Sequence, residues 1–174
     1  MTKKKFLNII SRDKEDIVQK FLNLLKKTRA KYCVIGGLAV NAYVEPVVSL
    51  DLDIVIKAED LEKVCRAAQA AGFKVNRFSH SINIATAKSD MRIQAQTDAR
   101  YQEFLGRAQR KRILGYSMKV ATLEDVIRGK IWAYSDETRR KSKRQKDLAD
   151  ILRIIESFPK LKAKLPPDLR RELT

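Results

Sequence analysis

Apolar residues near the start of the chain fall at helical spacing. After Ser11, which can serve as an N-cap, Ile17, Phe21, Leu24 and Leu25 line one face and predict an amphipathic helix over about 13–29. The period then changes. YCVI at 32–35 is a short apolar strand, and GLAVNAY after it predicts a short helix over about 37–43 that ends before Pro46. LDIVIK follows as a strand with alternating sides: Leu52, Ile54 and Ile56 point one way, Asp51, Asp53 and Val55 the other. Both carboxylates share a face.

A helix over AEDLEKVCRAAQAAG, opened by acidic residues and stopped at Gly72, leads to three further strands, FKVNRF, INIATA and MRIQAQ. Their turns fall at Ser79–Ser81 and Lys88–Asp90. In the last strand Met91, Ile93 and Ala95 alternate with Arg92, Gln94 and Gln96, so one face is again polar. A helix over about 98–109, a strand pair around RILGYSMKV and helices over about 122–134 and 142–157 complete the pattern. The proline-punctuated tail FPKLKAKLPPDLRRELT is expected to pack loosely. With no repeat and no low-complexity linker, the pattern predicts one α+β domain over 1–174. It has a basic N-terminal helix at 1–31, a twisted mixed sheet of about five strands within 32–120 flanked by helices, and a C-terminal helical extension over 121–174.

Composition adds a charge asymmetry to this picture. The net charge is +16, distributed as +7 over 1–31, zero over 32–100 and +9 over 101–174. Basic flanks around a neutral middle attract polyanions such as RNA or DNA, although solvated lysine-rich helices have the same composition. No apolar run is long enough to span a bilayer, which excludes a membrane protein. FLNII is too short for a signal peptide, so the cytoplasm is the expected compartment. Cys33 and Cys65 have no metal or redox spacing and are expected as unpaired core residues. His80 is expected on a surface turn, and Trp132 and Tyr134 in the core.

The candidate chemistry lies where a glycine pair precedes the carboxylate strand. Gly36 and Gly37 would let the backbone approach a polyphosphate and aim N–H groups at it from a helix start. Asp51 and Asp53, projecting side by side, could hold one or two Mg²⁺ ions through hard oxygen ligands. A site of that kind would clamp a triphosphate over metal, as nucleotidyl transfer requires. Ser49 is a candidate phosphate contact, with a local turn as its alternative role. Lys130 either snorkels to solvent, reaches the triphosphate, or pairs with Asp147 or Asp150, which read as structural partners of lysine or arginine. Arg139, Arg140, Lys141, Lys143, Arg144 and Lys146 place six cations in eight residues and are candidate contacts for nucleic acid or triphosphate.

The run Ile35, Gly36, Gly37, thirteen residues, then Asp51, Leu52, Asp53, Ile54 resembles the signature of the polymerase-beta-like nucleotidyltransferase superfamily. Downstream, LEDVIRGKIWAY followed by RRKSKRQKDLADI, with Lys130, Asp147 and Asp150, resembles its AbiEii-type toxin branch; the similarity spans about 32–157. The resemblance implies the nucleotidyltransferase fold. It also implies a Mg²⁺-dependent (or Mn²⁺-dependent) enzyme moving NMP from an NTP to a hydroxyl on RNA, tRNA-like, or on protein, as a component of a toxin–antitoxin pair with a cognate antitoxin. The chain departs from that family pattern twice. Val47-Val48-Ser49 stands where Arg-x-Thr is common, and Gln94 stands at the position where a third carboxylate is usual. A glutamine can offer a carbonyl to a metal but neither charge nor a base, so a catalytically inactive nucleotide-binding or RNA-binding regulatory protein is the alternative. Asp90 and Asp98 share the parity of Gln94, each about 13 Å away along an extended strand.

Overall fold

A computed structural model describes residues 1–173. The chain begins with two helices rather than one, α1 (Lys3–Ile10) and α2 (Ile17–Lys27). Ser11 closes α1 instead of opening the next helix, and the N-cap of α2 is Asp16, whose carboxylate accepts the Gln19 N–H at 3.1 Å. Arg12 and Asp16 both adopt positive φ, which breaks the helical path that the apolar spacing alone predicts. Phe21, Leu24 and Leu25 still face the core as predicted.

The sheet is assembled from β1 (Tyr32–Val34), β2 (Asp51–Ile56), β3 (Lys74–Arg77), β4 (Ser81–Ala85), β5 (Arg92–Gln96), β6 (Gln109–Ile113) and β7 (Tyr116–Val120). Their order is β3-β4-β5-β2-β1-β7-β6, so the mixed sheet has seven strands rather than about five. The count rises because the β6–β7 hairpin joins the same sheet, with β7 parallel to β1 through Val34 and Val120. Leu114 and Gly115, both at positive φ, make its tight turn. The short helix α3 (Gly36–Val40) links β1 to β2, and α4 (Ala58–Ala70) follows β2. β2 lies between antiparallel β1 and parallel β5 and buries Leu52, Ile54, Val55 and Ile56, which anchors the strand and leaves its carboxylate end half-buried.

Beyond β5 the expected helix over 98–109 is a 3-10 segment, Ala99–Gly106, and β6 already begins at Gln109. α5 (Leu123–Ser135) and α6 (Lys141–Ser157) follow closely the boundaries that the sequence predicts and pack on one another. The tail is ordered rather than loose: a 3-10 segment at Pro159–Lys164 and α7 (Pro167–Glu172) bury Leu161, Leu165 and Leu169. Three apolar side chains removed from water outweigh the proline punctuation, each contributing on the order of 1.5–3 kcal/mol. Cys33 and Cys65 are free and buried. Trp132 and Tyr134 are half-buried, Trp132 stacking on Phe104 at 5.6 Å, and His80 is exposed. Among the described residues no helix is long and apolar enough to cross a membrane.

Candidate functional site

β1 delivers the chain into Gly36 at φ +67°, a left-handed conformation that glycine adopts without strain. The neighbouring strand supplies a second reason for glycine. A Cβ at Gly36 would sit 2.2 Å from Asp53 Oδ2, so the backbone bend and the carboxylate are in direct contact. Gly37 differs: a Cβ there would make only ordinary van der Waals contact, 3.8 Å from Asp150 Oδ2 and from Ser49 Oγ. The N-terminus of α3 has no side-chain cap. The sequence-predicted juxtaposition of glycine pair and carboxylate pair is therefore present.

The two aspartates have unequal surroundings. Asp51 Oδ1 lies 2.8 Å from Arg92 Nε, and its other oxygen lies 3.7 Å from Lys143 Nζ. Asp53 has no ion-pair partner within 4 Å among the described residues. Burial pushes its carboxyl up to about 6; the Lys130 charge opposes this and the neighbouring Asp51 reinforces it. Ser49 is a turn partner, its Oγ accepting from Asp51 N and donating to Asp51 O, both at 3.3 Å, while it also lines the cleft beside Gly37.

Parallel pairing sets Asp53 opposite Gln94 and Asp51 opposite Arg92. Gln94 thus occupies the flank where a third carboxylate would stand. Asp90 is held by Arg12 at 2.6 and 2.9 Å, and Asp98 caps the 3-10 segment and pairs with Arg100, so neither substitutes for it. Among the described residues no group of three or more His, Cys, Asp or Glu side chains could hold a metal ion. The donor set on offer is two carboxylates and one carboxamide at the border of the cleft, with Asp53 filling the space that the missing Gly36 Cβ leaves. Hard oxygen donors of this kind fit one Mg²⁺ or Mn²⁺ that also takes oxygens from a phosphate.

Lys130 is buried and takes the pairing role among the alternatives, 2.8 Å from Asp147 Oδ1 and 2.7 Å from Asp150 Oδ2. Burial disfavours its ammonium, yet Asp150 and Asp147 outweigh that and hold its pKa above the usual lysine value. Arg139 Nε completes Asp147 at 3.0 Å and Arg153 completes Asp150 at 2.7 Å.

Two clefts meet on this ridge of charge. One, of about 310 Å³, is bounded by Gly36, Gln94, Tyr101, Phe104 and Arg140; the other, of about 570 Å³, by Gly37, Ser49, Arg92, Lys146 and Arg153. Asp51, Asp53, Lys130, Arg139, Lys143 and Asp147 border both. Of the basic run, Arg139, Arg140, Lys143 and Lys146 reach the clefts, whereas Arg144 is turned away, donating to Tyr134 O at 2.7 Å and lying over the Tyr134 ring. Arg92 and Arg153 also border the larger cleft, which their sequence context does not single out. Arg92 shares the polar face of its strand with Gln94, but only the strand register reveals Asp51 as its partner. Arg153 has only its i,i+3 spacing from Asp150 as a signal.

No protein-family model matches this chain, and no curated protein matches it. Solved structures do. The chain is similar to ANT(2'')-Ia in complex with adenylyl-2''-tobramycin, at 16% identity and TM-score 0.63, covering 90% of this chain and 94% of that one. It is similar to the lincosamide antibiotic adenylyltransferase LnuA, lincomycin-bound, at 12% identity and TM-score 0.56, covering 82% and 98%. It is also similar to an antigenic nucleotidyltransferase-like protein from Paracoccidioides brasiliensis, at 19% identity and TM-score 0.51, covering 96% and 91%. The fold is the nucleotidyltransferase fold.

Proposed function

We propose that this chain is a metal-dependent nucleotidyltransferase that moves a nucleoside monophosphate from an NTP to a hydroxyl group. The observation that carries the reading is the contact between Gly36 and Asp53, which seats a carboxylate without an ion-pair partner among the described residues against the backbone bend, at the edge of a cleft that a metal-chelated triphosphate would enter. Asp51 and Asp53 would hold Mg²⁺ (or Mn²⁺). Bound there, the cation would neutralise phosphate charge and acidify the acceptor hydroxyl. Gly37 leaves room for phosphate oxygens over the uncapped start of α3, and Arg139 and Lys143, bordering both clefts, offset charge on the leaving pyrophosphate. Lys130 acts at one remove by fixing α5 to α6 through Asp147 and Asp150.

RNA is the proposed acceptor. Arg140, Lys143 and Lys146 at the start of α6 border the clefts, and the helix has no acidic residue in its first turn and no side-chain cap. Positive side chains at the positive end of a helix dipole are unfavourable alone and are relieved by a polyanion. A toxin–antitoxin role, with a cognate antitoxin and cytoplasmic location, follows from the sequence resemblance around Lys130, Asp147 and Asp150, which the fold gathers into one cluster beside the cleft. Incubating the protein with each α-labelled NTP, total RNA and a Mg²⁺ series tests the reading. Label transfer that Asp51→Asn abolishes supports it; transfer unaffected by Asp51→Asn refutes the assignment of the site.

Gln94 opposite Asp53 favours a second reading, a nucleotide-binding or RNA-binding protein without turnover. Salt-sensitive binding indifferent to Mg²⁺, with no pyrophosphate released, would select it over the first.

A further inference from the structure

On the polar face of the sheet, Gln94 of β5 stands between Asp53 of β2 and Asn83 of β4, directly opposite each in register. Opposed residues of adjacent strands project on the same side within contact range. Two facts about this row are unexplained by the fold alone. Asn83 Oδ1 is the one buried side-chain polar atom among the described residues that lacks a hydrogen-bond partner. An orphaned buried acceptor costs on the order of 1–3 kcal/mol, so a partner is expected in the working state. Gln94, half-buried beside it, borders the cleft with its carboxamide uncommitted. Gln96, two residues on, is committed, its Oε1 accepting from Thr97 N at 2.9 Å and Asp98 N at 3.1 Å.

We propose that Asn83 positions Gln94 as a neutral oxygen ligand beside Asp51 and Asp53, so that the cleft takes one divalent cation with its triphosphate rather than two. The inference rests on the nucleotidyltransferase reading of this site. A carboxamide carries its donor and acceptor on opposite branches of one carbon. Gln94 donating an N–H toward β4, where Asn83 Oδ1 waits, presents its carbonyl toward β2, where Asp53 lies. One bond satisfies the orphan acceptor and aims the ligand. The charge balance points the same way: Asp51 already faces Arg92 and Lys143, and the cleft carboxylates Asp147 and Asp150 are taken by Lys130, Arg139 and Arg153, so neither is left to offset the repulsion of a second dication.

Titration of the full chain with Mn²⁺ in the presence of a non-hydrolysable NTP analogue, following free Mn²⁺ by electron paramagnetic resonance, tests both the pair and the ion count. Wild type is expected to bind one Mn²⁺ per chain together with the analogue. Asn83→Leu should weaken Mn²⁺ binding about tenfold, as loss of an outer partner of a metal ligand does. Asn83→Asp keeps the acceptor oxygen and should bind as tightly as wild type or better. Asn76→Ala, which changes the outer neighbour of Asn83, should leave affinity unchanged. Gln94→Asp should add a second Mn²⁺. Two ions in wild type, full affinity in Asn83→Leu, or equal losses in Asn76→Ala and Asn83→Leu would each overturn the proposal. Asp53→Asn separates the two levels: if it binds Mn²⁺ and analogue as wild type does, the nucleotidyltransferase reading itself fails. If it loses binding while Asn83→Leu does not, only the carboxamide pair fails. Far-UV circular dichroism and thermal melts confirm that each variant is folded.

Discussion

Asp147 and Asp150 lie one helical turn apart on α6 and each has two cationic partners, whereas Asp51 and Asp53 lie two residues apart on β2 and Asp53 has no ion-pair partner among the described residues. Both pairs border the same cleft. In the helical pair, Lys130 bridges the two carboxylates and Arg139 and Arg153 complete the outer sides, so the charge is cancelled inside the protein. In the strand pair, Arg92 covers Asp51 from an exposed position, Lys143 stands off at 3.7 Å, and Asp53 is pressed against the Gly36 backbone. A folded chain keeps an uncompensated carboxylate at a cost in stability, which selection tolerates when a cation from outside completes it. On the proposed reading, saturation gives the helical pair a structural role and the deficit makes the strand pair the candidate site.

Four substitutions test that contrast. Asp53→Asn is expected to lower nucleotidyl transfer by about three orders of magnitude, roughly 4 kcal/mol, by removing a metal ligand. The melting temperature without metal should stay level or rise, because a half-buried, unpaired charge is gone. Lys130→Met does the reverse, leaving the buried carboxylate of Asp147 and the half-buried one of Asp150 each short of a partner. Unfolding in urea should show a loss of about 3 kcal/mol, and the melting temperature should drop by about 10 °C. Gly36→Ala places a methyl group on the Asp53 carboxylate in a left-handed backbone conformation. A loss of about 1–3 kcal/mol in stability is expected, with weakened Mn²⁺ binding by calorimetry. Arg92→Gln is the mildest: an exposed ion pair is removed, stability changes by less than about 1 kcal/mol, and Mn²⁺ binds more tightly because a competing cation has left Asp51.

The sequence carried the contact at the heart of the site because its two halves are local patterns. Period-two alternation put Asp51 and Asp53 on one face, and the glycine pair marked the bend that meets them. The α5 and α6 boundaries were equally legible, since Thr122 caps α5 and the periodicity is strong. What depends on register was not. Nothing local says that β5 pairs with β2 so that Gln94 faces Asp53 and Arg92 faces Asp51, or that β7 lies parallel beside β1 and enlarges the sheet to seven strands. Lys130 and Asp147 are on different helices, so spacing left three roles open for the lysine that only the packing of α5 on α6 resolves. The N-terminal break escaped because positive φ is uncommon for an arginine such as Arg12, and Asp16, of a type that adopts it more readily, carries no glycine-like signal that it does so here.

The most direct test of the central claim is anomalous diffraction at the manganese edge from crystals soaked with Mn²⁺ and a non-hydrolysable triphosphate. The account predicts a manganese peak between Asp51 and Asp53, next to Gly36, with the triphosphate running past Gly37. Manganese at Asp147 and Asp150, or a triphosphate bound away from the Gly36 bend, would contradict it.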